Sequence, residues 1–384
     1  MIALLLAIAL VPAAPQAPRE MRGVWIVRTA LATPEAADAA VDEAARAGMN
    51  AIFVQVRGRG DALYRSALAP RSEVLRGQPP GYDPLARVLA RASARGLAVH
   101  AWVNVLLAGG FGVPLPPGHV VAAHPDWLMV PRAAARTALA SPTSALAPLI
   151  ESARDADVEG FYLSPSSAAA ATHLEAVVRA LVWRYPVQGL HLDFIRYPGR
   201  DYDYSRAALT AFRARRGHGW LLDGPEADPE GFERHRRDAL EALANRLARS
   251  ARATRRSVVV SAAVVPEEVA MRAKGQDWPR WIESGALDAA IPMAYTPDTP
   301  QFAEQIGALR QRVGARAALW AGIGAWRLDA AGVVEKVRAA RAAGASGVVL
   351  FSSDSLDTSG YDLLRREVFA APGDADGGHA AGAR

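Results

Sequence analysis

Residues 189–198 read Gly189-Leu190-His191-Leu192-Asp193-Phe194-Ile195-Arg196-Tyr197-Pro198. The first five suit a short strand, on which side chains alternate between two faces. Leu190 and Leu192 then share one face, His191 and Asp193 the other. Such a strand, closed by Arg-Tyr-Pro, is suited to presenting a carboxylate at the mouth of a barrel. The competing use of the same residues is a buried His–Asp pair that orders a loop.

Working outward, the chain alternates short apolar strands with Ala/Arg-rich helical stretches. Strands are predicted near 22–28, 51–57, 97–104, 188–194, 257–264, 287–293, 317–323 and 347–352. Helices are predicted near 35–48, 83–95, 171–184, 232–254, 276–284, 299–312, 329–343 and 360–369. Gly48, Gly96, Gly285 and Gly344 fall where helix-ending glycines belong, and Thr33-Pro34-Glu35 and Asp83-Pro84 read as helix starts. Strand-then-helix repeated in this way implies an α/β protein whose parallel sheet closes as a (β/α)8 TIM barrel. An open doubly wound sheet is the other solution, but no Gly-x-Gly-x-x-Gly opens a helix after a strand, so a dinucleotide site has no support. Long loops follow strand 3 (residues 105–170) and strand 4 (195–231), far above the usual few residues. Both leave the C-terminal ends of strands, where barrel enzymes build their sites. Their aromatics, Phe111, Trp127, Tyr162, Tyr202, Tyr204 and Trp220, suit a structured cleft wall.

Composition sets outer bounds. The chain has 384 residues, no Cys and a formal charge of +5. Disulfides, thiolate nucleophiles and Cys-ligated zinc are thereby excluded. The positive charge is almost all Arg, with Lys274 and Lys336 the only lysines, and no dense basic run with interleaved aromatics signals nucleic acid. Ile2 to Val11 is an unbroken apolar run followed by Pro12-Ala13-Ala14. That length fits a signal-peptide core and is too short to span a bilayer. The reading is a signal peptide over 1–20, a catalytic barrel over 21–371 and a disordered Gly/Ala-rich tail over 372–384. It places the protein outside the cytoplasm, periplasmic or extracellular, with no stable membrane insertion once the signal is cleaved.

Polar side chains gather at the predicted mouth. On strand 2, Gln55 and Arg57 point inward and Asp61 follows; on strand 3, His100, Trp102 and Asn104 do so. Strand 4 gives His191 and Asp193, strand 6 ends at Tyr295, and Trp320 lies on strand 7. Burying so many polar groups is costly unless they pair with each other or with a ligand. Flat apolar faces (Trp25, Trp102, Tyr197, Tyr295, Trp320) beside planar hydrogen-bonding groups (Arg57, Asp61, His100, Asn104) suit a sugar. Glycoside cleavage generally needs two carboxyl groups. Asp193 is the first candidate, with Arg196 and His191 expected to favour its ionised form. Glu267 or Glu268, after strand 5, is the preferred second, and Asp277, Asp298 and Asp354 also lie on mouth-side segments.

These residues carry a resemblance. Arg22-Gly23-Val24-Trp25, Gln55-Val56-Arg57 with Asp61-Ala62-Leu63-Tyr64, His100-Ala101-Trp102-Val103-Asn104, His124-Pro125-Asp126-Trp127-Leu128, the 189–198 segment, Gly275-Gln276-Asp277-Trp278 and Pro292-Met293-Ala294-Tyr295 occur in order. Together they resemble the glycosyl hydrolase-like 10 family of bacterial envelope proteins. The Ala/Pro-rich segment 131–160 departs from the family's plainer strand and loop, though Asp155 to Tyr162 still leads into Leu163-Ser164-Pro165. The resemblance implies a barrel related to retaining glycosidases, an exported protein, and action on glycan, with peptide-free cell-wall strands a suggested substrate. It implies Asp193 as nucleophile, the acid following strand 5. The expectation is thus an exported, retaining glycoside hydrolase needing no metal and no cofactor. The alternatives are a non-catalytic glycan-binding barrel that scaffolds the envelope, and a metal-dependent hydrolase using His100, His191 and Asp193.

Overall fold

The computed structural model of the chain describes residues 20–141, 149–151, 158–216 and 221–370. The apolar N-terminal run, the tail from Pro372, Asp155 and Trp220 lie outside the described residues.

Ten strands are described: β1 (Met21–Ile26), β2 (Ala51–Arg57), β3 (Ala98–Asn104), β4 (Leu107–Gly109), β5 (Phe161–Tyr162), β6 (Gly189–Asp193), β7 (Val259–Val264), β8 (Ala289–Pro292), β9 (Ala318–Gly324) and β10 (Gly347–Phe351). All but β4 and β5 close into one barrel in the order β1-β10-β9-β8-β7-β6-β3-β2, every described pairing parallel. β4 and β5 form a small antiparallel ladder in the connection after β3. The helices that follow the barrel strands are α1 (Pro34–Arg46), α2 (Pro84–Ala94), α3 (Ala168–Arg184), α4 (Pro229–Thr254), α5 (Trp278–Glu283), α6 (Thr299–Val313), α7 (Ala330–Ala342) and α8 (Thr358–Leu364). This is a TIM-barrel fold.

The caps explain why the helices begin where they do. Thr33, Asp83, Ser167, Asp228, Asp298, Asp329 and Asp357 each accept a hydrogen bond from the backbone N–H three residues on. Each satisfies one of the free amides of a first turn. α3 and α4 start three residues earlier than the sequence suggests because Ser167 and Asp228, not the first apolar residue, set the entry. The predicted fifth helix is preceded by a separate turn of helix, Glu268–Lys274, which Gly275 ends in the left-handed conformation (φ +64°). The eighth ends at Leu364 and passes into a π-turn over 365–369.

Alternation sorts the strand residues into two cores. Val24, Ile26, Ile52, Val54, Val99, Ala101, Leu190 and Leu192 pack outward against the helices. Trp25, Ala51, Phe53, Trp102, Ala289, Ile291, Trp320 and Val349 fill the barrel itself. The interior is therefore packed to the level of Trp102, and open space begins only above it, as TIM barrels are built. No helix among the described residues is long and apolar enough to cross a membrane.

Candidate active site

Above the packed interior lies a cavity of about 530 Å³ at the C-terminal ends of the strands. Trp25, Trp102, Tyr295 and Phe351 wall it; Gln55, Asn104, Asp193, Arg196 and Glu159 bring polar groups into it. Phe351 knits the wall together, with ring centroids 5.8 Å from Trp25, 6.2 Å from Trp102 and 5.9 Å from Tyr295. Trp326 extends the platform at the rim, 4.9 Å from Tyr295 and 49% exposed.

Asp193 ends β6 at the floor of this cavity and is buried. Its Oδ2 accepts from Trp102 Nε1 at 3.0 Å and its Oδ1 from its neighbour's backbone, Phe194 N, at 2.6 Å. The second bond is possible because Phe194 takes a left-handed conformation (φ +48°), rare for a residue with a side chain. That turn also lays the Phe194 ring beneath the Arg196 guanidinium, 4.4 Å away. Burial pushes the Asp193 carboxyl above its usual range, with Arg196 and the two N–H donors opposing. Arg196 favours the ionised form as the sequence suggests, whereas the same expectation of His191 is corrected. Desolvation outweighs Arg196, and His191 is itself held neutral by burial.

The second carboxylate is one the sequence reading passed over. Glu159 lines the same cavity, just ahead of β5. Its Oε2 accepts from the Tyr162 hydroxyl at 2.7 Å, and Arg196 Nη2 lies 3.4 Å from Oε1. Burial would raise its pKa, but the Tyr162 hydrogen bond and the Arg196 charge together hold it below the usual range. Arg196 thus couples the two carboxyls. It is kept charged against its own burial by Asp193, Tyr162 and Glu159.

The other expected carboxylates fall elsewhere. Glu267 and Glu268 are exposed: Glu267 accepts from Gln305 at 3.1 Å and Glu268 pairs with Arg272 at 2.7 Å. They start a surface helix and are not brought to the Asp193 cavity. Asp298 caps α6, Asp354 accepts from Ser352, and Asp277 precedes α5. The motif around Asp277 instead supports the site through Gln276. Its Oε1 accepts from Val265 N, and its Nε2 donates to Ala263 O and Ile195 O, tying the segment after Asp193 to the end of β7.

The predicted binding residues divide by depth. Trp102, Asn104, Arg196 and Tyr295 line the cavity. His191 lies under the floor, where Nε2 accepts from Trp25 Nε1 at 3.1 Å and Nδ1 meets Ser261 Oγ at 3.0 Å. Both ring nitrogens are thus engaged, which leaves no lone pair for the metal that the third reading required; among the described residues no group of three or more His, Cys, Asp or Glu is placed to hold one. His100 and Trp320 are deeper still, packed on Phe53. A Cβ on Gly189 would stand 2.0 Å from His100 Nδ1, so only glycine fits at that register position. Asp61 accepts from Gly58 N and Arg59 N and shapes the loop beside the cavity. Arg57 does not point into the mouth: an irregularity in the β2–β3 pairing after Gln55 turns it away. Fully buried, it donates to the backbone carbonyls of Asn104 and Val105.

A closed parallel barrel with carboxyls and a wall of edge-on and tilted aromatics at its C-terminal mouth defines a glycoside hydrolase-type TIM barrel. The profile of the family described as Glycosyl hydrolase-like 10 matches residues 20–325, and the chain belongs to that family. Glycosyl hydrolase YngK of Bacillus subtilis is 34% identical over 131 residues, 29% of this chain and 26% of its own. Glycosyl hydrolase DigH of Escherichia coli (strain K12) is 26% identical over 286 residues, 67% of this chain and 57% of its own. The chain thus spans about half the length of the curated relatives it matches most broadly. Among solved structures, the glycoside hydrolase domain of PgaB (BpsB) from Bordetella bronchiseptica superposes with a TM-score of 0.64 at 15% identity, covering 92% of this chain and 100% of that one. The catalytic domain of β-amylase from Paenibacillus polymyxa gives 0.62 at 11% identity, covering 92% and 99%. At these identities the likeness is one of fold.

Proposed function

We propose that the chain is an exported glycoside hydrolase that cuts a bacterial envelope or extracellular glycan, peptide-free peptidoglycan strands foremost, with Asp193 and Glu159 as its carboxyl pair. The observation that carries this reading is a single cavity in which one carboxyl is pushed up and the other held down, with one arginine against both. Opposed environments of this kind separate acid from base.

Asp193, whose burial favours the protonated form, is the general acid and protonates the departing glycosidic oxygen. This revises the nucleophile role that the resemblance implied, because burial works against the Asp193 anion while the Tyr162 hydrogen bond and Arg196 favour the Glu159 anion. Glu159, ionised, bonds to the anomeric carbon as the glycosidic oxygen leaves with the Asp193 proton, giving an inverted glycosyl-enzyme. Asp193, now a carboxylate, takes a proton from the water that displaces Glu159 with a second inversion, so the first product keeps the configuration of the substrate. Arg196 holds Glu159 ionised until the sugar arrives. Trp102, Tyr295, Phe351 and Trp326 receive sugar C–H faces, while Asn104 and Gln55 offer amides to hydroxyls. Export rests on the N-terminal apolar run, and the substrate on the family's envelope association.

The test is incubation of the mature protein with peptide-free strands, beside Asp193→Asn and Glu159→Gln variants, reading new reducing ends. Wild type should generate them and both variants lose at least about a hundredfold in rate. Saturable binding with no new ends from the wild type would replace this reading with the glycan-binding scaffold.

A further inference from the structure

Beside the catalytic cavity lies a second one of about 320 Å³, and Arg28 and Arg59 line both. Their setting is unusual for this chain, most of whose arginines are committed to carboxylates or carbonyls. Neither guanidinium makes an ion pair or a hydrogen bond with any described residue. Both are half-buried.

The carboxylates nearby are otherwise occupied. Asp61, whose charge reaches Arg28, already accepts from the backbone N–H groups of Gly58 and Arg59. Glu73 pairs with Arg76. His119 donates from Nε2 to Arg59 O (2.8 Å) while its Nδ1 accepts from Val121 N, and burial disfavours its charged form. Arg28 is made less basic by burial and then by the Arg59 charge. The backbone is cut away to seat them. A Cβ on Gly58 would stand 2.9 Å from Arg28 Nη1, and one on Gly110 would stand 2.9 Å from Arg59 Nη1. Two seated, half-dehydrated, like-charged forks thus stand at the edge of the cavity. A guanidinium fork matches a carboxylate better than any neutral hydroxyl.

We propose that Arg28 and Arg59 form a specificity subsite for a carboxylate carried by a sugar of the glycan, one or more residues along from the bond that is cut. The inference rests on the glycosidase reading above and deepens it. Its chemistry is shared by two sources, a hexuronic acid and a sugar bearing a carboxylate on an ether side chain, which a peptide-free wall strand exposes. Asp61 fixes the Gly58–Arg59 turn, so that it positions the fork without touching the sugar.

The experiment compares peptide-free wall strands with the same strands after their carboxyl groups are reduced to alcohols. Hexuronate oligosaccharides form a third arm that tells the two sources apart. Wild type should lose at least about tenfold in kcat/KM on the reduced strands. In Arg59→Gln and Arg28→Gln that discrimination should collapse towards one, while Arg59→Lys, which keeps the charge, retains part of it. Thermal melting of each variant shows that it is folded. Equal rates of the wild type on both strands, or full discrimination in the folded Gln variants, would overturn the subsite and leave the glycosidase standing. Titration of the same strands into Asp193→Asn separates the converse case. Carboxylate-dependent binding that Arg59→Gln abolishes, with no cleavage by the wild type, would keep the subsite and refute the hydrolase.

Discussion

Asp193→Asn separates the chemistry of the site from its architecture, and the structure sets the size of both effects. The carboxylate accepts two N–H donors, from Trp102 and from Phe194. An asparagine offers one carbonyl oxygen and one NH2, so one donor is kept and the other loses its acceptor. The loss of a buried hydrogen bond costs about 1–3 kcal/mol. Against this, the buried acid disappears. Because the folded pKa of Asp193 lies above its ordinary 3.8, the native state binds protons more tightly than the unfolded chain. The wild type therefore loses stability as pH rises through that window, and Asn does not. The net change at neutral pH should be under about 2 kcal/mol, a shift of roughly 4 °C or less in Tm for a domain of this size. The Tm difference, variant minus wild type, should grow more positive as pH rises above the ordinary carboxylate range. Turnover should fall far more, by about 10²–10⁴, the contribution of a positioned acid. The assay is calorimetry at several pH values beside initial rates on the same preparations. A folded variant that keeps more than a tenth of wild-type activity would refute the acid role. A Tm drop constant across pH would refute the account of its burial.

Arg196→Gln should move both limbs of the pH–rate profile to higher pH. Arg196 lowers the pKa of Asp193 and of Glu159, so its loss raises both; unmoved limbs would contradict the coupling. Glu267→Gln and Glu268→Gln should leave kcat/KM within about twofold, since both carboxylates are exposed and paired away from the mouth; a hundredfold loss in either would restore the position after β7 as the acid. Gly189→Ala should destabilise the barrel by about 1–3 kcal/mol in urea unfolding, because its Cβ would collide with the His100 ring; a change below about 0.5 kcal/mol would show slack that the structure does not contain. Trp326→Ala should raise KM for long strands by roughly 2–12-fold, with Tm unmoved, as expected for loss of an exposed stacking face.

The barrel was legible because its signals are local. Leu190 and Leu192 against His191 and Asp193 gave the faces of β6, and the same alternation placed His100, Trp102 and Asn104 inside β3. Thr33 and Asp83 announced α1 and α2 by the caps they form. What failed was non-local. A single irregularity after Gln55 turned Arg57 out of the cavity, and no one-strand pattern encodes a shift that arises between two strands. Glu159 sits in a long connection among several other acids, and its role is made by Tyr162 on β5 and by Arg196 beyond β6. The one local hint was its place just ahead of the Gly160-Phe161-Tyr162 run. Glu267 and Glu268 had the right position along the chain, but their helix carries them onto the surface. Reading Asp193 as an ionised group counted neighbouring charges and left out desolvation, the larger effect.

The central claim is that water cleaves a glycosidic bond in the Asp193–Glu159 cavity. The most direct measurement digests peptide-free peptidoglycan strands with the wild-type protein in water enriched in heavy oxygen and weighs the products by mass spectrometry. The account predicts shortened saccharides that carry the heavy oxygen at each new reducing end, absent when Asp193→Asn replaces the wild type. Intact strands recovered bound to the protein, or shortened products without the label, would contradict it.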